Sequence, residues 1–196
     1  MSNPLDSPPR SVKEFTSVKW QEWFYLLWAK RKNKRIETNG NPAKGTSAPV
    51  ETYLNNTVGL KFAVGDSVYF NLALPDDWVP NTDLTFEAHF YSSNTTAARY
   101  VRGSLDWQAC ALGEAITAPG SSGTLDTGDI LMGTTANQLG AVAFPVIPGT
   151  SLSFDDHIFL KLTRTAATGT APASPADNPV LMHFEIEYTA YVIRAR

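Results

Sequence analysis

One cysteine, Cys110, stands in a chain of 196 residues. A lone cysteine excludes an intrachain disulfide and any zinc site built on thiolates, and it fits folding in a reducing cytoplasm. Histidine is scarce as well, with three residues, His89, His157 and His183. Charged residues make up 18% of the chain, below the usual quarter or so. The apolar run Trp23–Ala29 is far shorter than the roughly 20 residues that span a bilayer, so no membrane span is expected. The opening SNPLDSPPR has no apolar core, and no signal peptide is expected. Walker A, dinucleotide-binding, HExxH and GxSxG patterns are all missing. No acid/base pair can be named for hydrolysis. The expectation is a protein that is not an enzyme, with no cofactor and no assigned metal.

What the chain does have is concentrated at its start. Pro4, Pro8 and Pro9 mark an extended arm. Three of the five tryptophans, Trp20, Trp23 and Trp28, then fall within nine residues, and a basic cluster follows. With Ser17 as N-cap, the spacing predicts a helix from Val18 to Asn33. Trp20, Trp23, Phe24 and Leu27 form one face of it, and Tyr25, Leu26 and Trp28 widen that face. Each large apolar side chain gains about 1.5–3 kcal/mol on burial, so the segment demands a partner. Packing on its own body is one option, a membrane surface another; contact with other copies or another protein is preferred. Lys30, Arg31 and Lys32 suit the C-terminal pole of the helix dipole, and their cluster needs no nucleic acid to account for it. Residues 1–45 hold nine of the 16 basic and four of the 19 acidic side chains. A net +5 segment thus precedes a body of net −8, which suggests two surfaces with different partners.

Residues 37–49 read as a Gly/Pro-rich linker. The expected layout is an arm and anchor over 1–36, the linker, and a body over 50–196. In the body the period drops to two. Leu60, Phe62 and Val64 alternate with polar or small residues, as do Val68, Phe70, Leu72 and Leu74. Gly65-Asp66 between them signals a hairpin. Leu84 to Tyr91 and Val101 to Ala111 alternate too, the second with a bulge expected at Gly103. Shorter strands are expected near 125–131 and 139–147, with Pro145 favouring an edge. Ile158 to Leu162 alternates, and Met182 to Val192 is the clearest of all. The fold class is therefore mainly β: about eight antiparallel strands in a β-sandwich, jelly-roll-like, preceded by the arm and one helix.

Chemistry is sparse. Gly65-Asp66-Ser67 resembles a GDSL hydrolase block but sits in a turn, with no later DxxH. His183, Glu185 and Glu187 share one strand face; Glu87 and His89 share another. Two such faces would make a metal or substrate site if they met; solvated sheet faces are the preferred reading. Asp126, Asp129, Asp155 and Asp156 are read as turn formers ahead of calcium ligands. Trp78 is assigned to packing ahead of sugar stacking. Loops 117–124 and 166–178 would carry any receptor recognition.

Phe15-Thr16 and Trp20 to Leu27, with the strand GDSVYF, the turn Pro75-Asp76-Asp77-Trp78 and the strand end His89 to Tyr91, resemble segments of tailed-bacteriophage virion proteins. The resemblance covers the first 30 or so residues and roughly 60–92. It implies a structural virion protein of fibre, collar or head-appendage type, with a capsid decoration protein as the close alternative. Its implied partners are copies of itself in a homotrimer, other virion proteins through Trp20, Trp23, Phe24, Leu27, Trp28, Lys30, Arg31 and Lys32, and a host surface receptor. Members often carry two histidines in the strand where this chain has Ala88 and His89.

Overall fold

A computed structural model describes residues 31–37, 43–45, 47–97, 99–168 and 178–191. Twelve strands run in chain order: β1 Arg31–Glu37, β2 Ala43–Lys44, β3 Val50–Leu54, β4 Thr57–Lys61, β5 Ser67–Ala73, β6 Thr85–Tyr91, β7 Tyr100–Cys110, β8 Ser121–Asp126, β9 Ile130–Leu131, β10 Gly140–Ala143, β11 His157–Thr165 and β12 Val180–Tyr191. They form two antiparallel sheets. Sheet A has the order β10-β6-β12-β4-β3, with β1 also on β12; sheet B has β2-β5-β11-β7-β8, with β9 also on β7.

Eight of these strands correspond to the eight expected from alternation, and their pairing defines the topology. β4 pairs with β12, β5 with β11, β6 with β10, and β7 with β8. First pairs with last, second with next to last, and so inward, which is the wrapped long hairpin of a jelly roll. Most inward residues are those that alternation marks, although Val64, expected beside Leu60 and Phe62, is exposed. Leu84, Phe86, Ala88 and Phe90 are buried on β6 and its lead-in, and Ile158, Leu160 and Leu162 on β11. Phe184 lies at the centre, fully buried, 4.8 Å from the Phe70 ring and 5.8 Å from that of Phe86. Phe70 belongs to the opposite sheet, so this stack ties the two layers together.

Four local expectations change. Leu60–Val64 and Val68–Leu74 do not form a hairpin: β4 lies in sheet A and β5 in sheet B. The turn between them is real, with Gly65 at φ 93° and Asp66 N–H donating to the Ala63 carbonyl, but it arches across the sandwich. Alternation alone does not distinguish an arch from a hairpin. No bulge occurs at Gly103, where the β7–β11 register runs unbroken. A Cβ there would lie 3.1 Å from the Phe144 ring, so the glycine makes room for an aromatic. The register shift falls in β12 instead, between Leu181 and His183, and it puts Leu181 rather than Met182 into the core. Strand β8 begins at Ser121, inside the expected loop.

The N-terminal expectations meet the structure at one place. The expected helix falls outside the described residues up to Lys30. Its last three positions, Arg31 to Asn33, are strand instead, the start of β1, which pairs with β12 from Arg31↔Tyr191 to Glu37↔Glu185. The expected linker likewise contains β2, paired with β5. The reason is non-local: β12 has twelve residues, β4 covers only Val180 and Leu181 on that side, and β1 takes the open length. A basic strand suits an edge, because like charges discourage further pairing.

Candidate functional site

The two outer faces of the sandwich carry what chemistry the described residues offer. On sheet A, β6 and β12 run side by side with His89 opposite His183 and Glu87 opposite Glu185. The two His-Glu faces seen in the sequence therefore meet. The shift at Met182 sets this register; without it the histidines would sit one position apart and on opposite faces. The imidazole rings lie 4.0 Å apart, tilted by 40°. His89 Nε2 is 2.7 Å from Glu87 Oε1 and 3.9 Å from Glu185 Oε2. His183 Nε2 is 3.2 Å from Glu185 Oε1. Glu185 is 8% exposed, a carboxylate too buried to lack close partners; His183 turns Nε2 toward it, while His89 turns Nε2 toward Glu87. One donor atom each from His89, His183 and Glu185 lies within 4.8 Å of the others. This is the group among the described residues able to hold a metal. Glu37 of β1 is the register partner of Glu185 on its other side, so the strand that follows the aromatic segment flanks the cluster.

Sheet B presents a different surface, and sequence reasoning passed over it. Tyr69, Lys161, Asp106 and Thr124 form one row across β5, β11, β7 and β8; Asn71, Phe159, Gln108 and Ser122 form the next. Lys161 Nζ stands 4.0 Å from Asp106 Oδ2, and Thr124 Oγ1 donates to Asp106 Oδ1 at 2.8 Å. A cavity of about 410 Å³ opens over this face, lined in part by Tyr69, Gln108 and Phe159. An exposed tyrosine and a half-buried phenylalanine among planar polar side chains suit the flat C–H face and hydroxyl rim of a sugar. The signal was available: Tyr69 and Phe159 are the aromatic outward positions of two strands whose inward positions were already identified.

The other candidates resolve into structure. Asp66 Oδ2 accepts from Ala63 N–H at 2.7 Å, and Asp156 Oδ2 from Ser153 N–H at 2.7 Å; both close turns. Asp126 binds the Arg102 guanidinium through Nε and Nη2, which holds its carboxyl below the usual carboxylate range. Asp129 accepts from Thr168 N–H. Trp78 is buried in the core and donates to the Thr82 carbonyl. Tyr188 is pushed up to about 12 by burial and by its 3.0 Å hydrogen bond to Asp77. Arg164 continues the inward row of β11, a buried cation that donates to the Phe62 carbonyl and to Asn178 Oδ1. Of the expected docking residues, Trp20, Trp23, Phe24, Leu27, Trp28 and Lys30 lie outside the described residues. Arg31 and Lys32 are placed in β1, opposite Tyr191 and Ala190.

No protein-family model matches the chain, and no curated protein matches it. Among solved structures, infectious bursal disease virus Gx strain aligns with a TM-score of 0.44 at 12% identity, over 85% of this chain and 34% of that one. This chain thus spans about a third of that viral chain's length. The CBM35 from Cellvibrio japonicus Abf62 aligns with a TM-score of 0.43 at 11% identity, over 84% of this chain and 97% of the module. The CBM36-1 domain of a multidomain xylanase from the hindgut metagenome of Trinervitermes trinervoides aligns at 0.40 and 12%, over 79% and 96%.

Proposed function

We propose that this chain is a structural, non-enzymatic subunit of a bacteriophage particle: an appendage of fibre or collar type, docked through residues 1–30 and displaying the jelly roll outward. The observation that supports it is that, among the described residues, the two sheets already form a continuous core. The inner faces of the two sheets fill each other with residues from Leu60 onward. In this reading Trp20, Trp23, Phe24, Leu27 and Trp28, which lie outside the described residues, serve a partner. β1, which follows that segment in the chain, pairs with β12 of sheet A. Val50, Tyr53 and Val58, exposed on the edge hairpin β3–β4, fit contact with a neighbouring copy in a homotrimer. Because β1 belongs to the sheet, the docking unit is cut after residue 30, not after 36. Light scattering tests the assembly, with a trimer expected for the full chain and a monomer overturning it. Trp20→Ser with Trp23→Ser in the full chain is expected to abolish particle incorporation while leaving the body folded; full occupancy would refute the docking role.

A second reading rests on the outer face of sheet B. Tyr69 and Phe159 beside Asn71, Gln108 and Asp106 suit a host-surface glycan, on a rigid sheet face instead of the loops. Glycan-array binding lost in Tyr69→Ala would support it, and an array without hits would remove it.

A further inference from the structure

We propose that His89, His183, Glu185 and Glu87 bind one divalent first-row transition ion of the zinc type on the outer face of sheet A. Three observations converge. First, the chain has three histidines, and two of them are direct cross-strand partners. Second, His183 aims Nε2 at Glu185, whose side chain is 10% exposed, and His89 Nε2, bonded to Glu87, stands 3.9 Å from the same carboxylate. Third, one donor atom each from His89, His183 and Glu185 lies within 4.8 Å of the others, close enough for small side-chain adjustments to bring all three to metal–ligand distances of about 2.0–2.1 Å.

The donor set selects the ion. Two neutral imidazoles and carboxylates suit zinc and its neighbours, whereas calcium and magnesium seek six or more oxygens. Glu87, the more exposed carboxylate, stands outside the three-donor group and would close the fourth position by turning from His89 toward the ion. A four-coordinate site with no open position is structural in type. Its ligands come two from β6 and two from β12, from elements already held by the ladder, so little ordering is left to bind the ion. The ion would staple two strands of sheet A and stand next to β1, whose Glu37 is in register with Glu185. This site is independent of the glycan and docking readings.

The test is titration of the full chain with zinc chloride, followed by calorimetry and by metal content after gel filtration. One ion per chain is expected. Cobalt(II) in its place should give the intense visible bands of four-coordinate geometry. Zinc at a hundredfold excess over Kd should raise Tm by about 5–10 °C. His183→Gln and Glu185→Gln should each weaken binding by about 100-fold or more, whereas His157→Gln, at the start of β11, should leave it unchanged. Circular dichroism checks each variant, and His89→Gln carries the same reading should His183→Gln not fold. Absence of stoichiometric uptake overturns the proposal, because paired His-Glu side chains alone give none. So does uptake insensitive to His183→Gln and Glu185→Gln, or stronger binding of calcium than of zinc.

Discussion

The two outer faces of this sandwich are built by the same rule and end up chemically unlike. Both consist of alternate residues on antiparallel strands, and both rest on the same aromatic core. On sheet B, unlike groups stand side by side: Lys161 next to Asp106, Tyr69 diagonal to Phe159. On sheet A, like stands opposite like: histidine opposite histidine and glutamate opposite glutamate. Like charges directly opposite are ordinarily unfavourable in a sheet. Composition alone therefore does not decide what a face does; register does. On sheet A each of these glutamates has a histidine two positions along its own strand, Glu87 with His89 and Glu185 with His183.

The comparison can be broken at several depths. The largest effect is expected from the support the two faces share. Phe184→Ala should cost about 3–5 kcal/mol in urea denaturation and loosen both faces together; a loss under 1 kcal/mol would contradict the central role of the Phe70–Phe184 stack. Next is the end of β12 beyond the cluster. Tyr188 carries a pKa raised to about 12, so its folded form favours the protonated phenol. That contribution is full below the unfolded value of about 10 and fades as pH rises through 12. Spectrophotometric titration should show Tyr188 ionising near 12, and Asp77→Asn should move it down. Smaller still is the Arg102–Asp126 pair on the rim of sheet B. A depressed carboxyl contributes stability above about pH 3.9, lost as pH falls through its folded value. Arg102→Ala should raise the Asp126 midpoint seen by carbon-detected NMR. Smallest is Asp106→Ala on the open face of sheet B. Both partners are about half exposed, so the change should cost under about 1 kcal/mol. A larger cost there would erase the contrast between the faces.

Much of the body was legible in the sequence because a strand with one buried face writes its period into the chain. Phe86, Ala88 and Phe90 on β6 and Ile158, Leu160 and Leu162 on β11 were assigned inward from alternation alone, and they are buried. What escaped depends on partners distant in sequence. Arg31 to Glu37 has no alternating apolar pattern, and its strand exists because β12 offers an uncovered edge. Whether Gly65-Asp66 turns a hairpin or an arch depends on β11 and β12, which pair the two arms separately. The meeting of His89 with His183 depends on one extra residue at Met182. The histidines and glutamates could be placed on polar faces from the sequence, but a one-residue slip decides which pairs meet.

β12 also has a place in time. It lies in the middle of sheet A, bonded to β6 along one side and to β4 and β1 along the other, yet it is the last described strand to be synthesised. A chain emerging from the ribosome would carry β1, β4 and β6 with their inner edges open until some hundred residues after β6 had been made. Loop closure over such separations is slow, and unpaired edges invite association between chains. Chains still growing on neighbouring ribosomes of one message would meet in that open state.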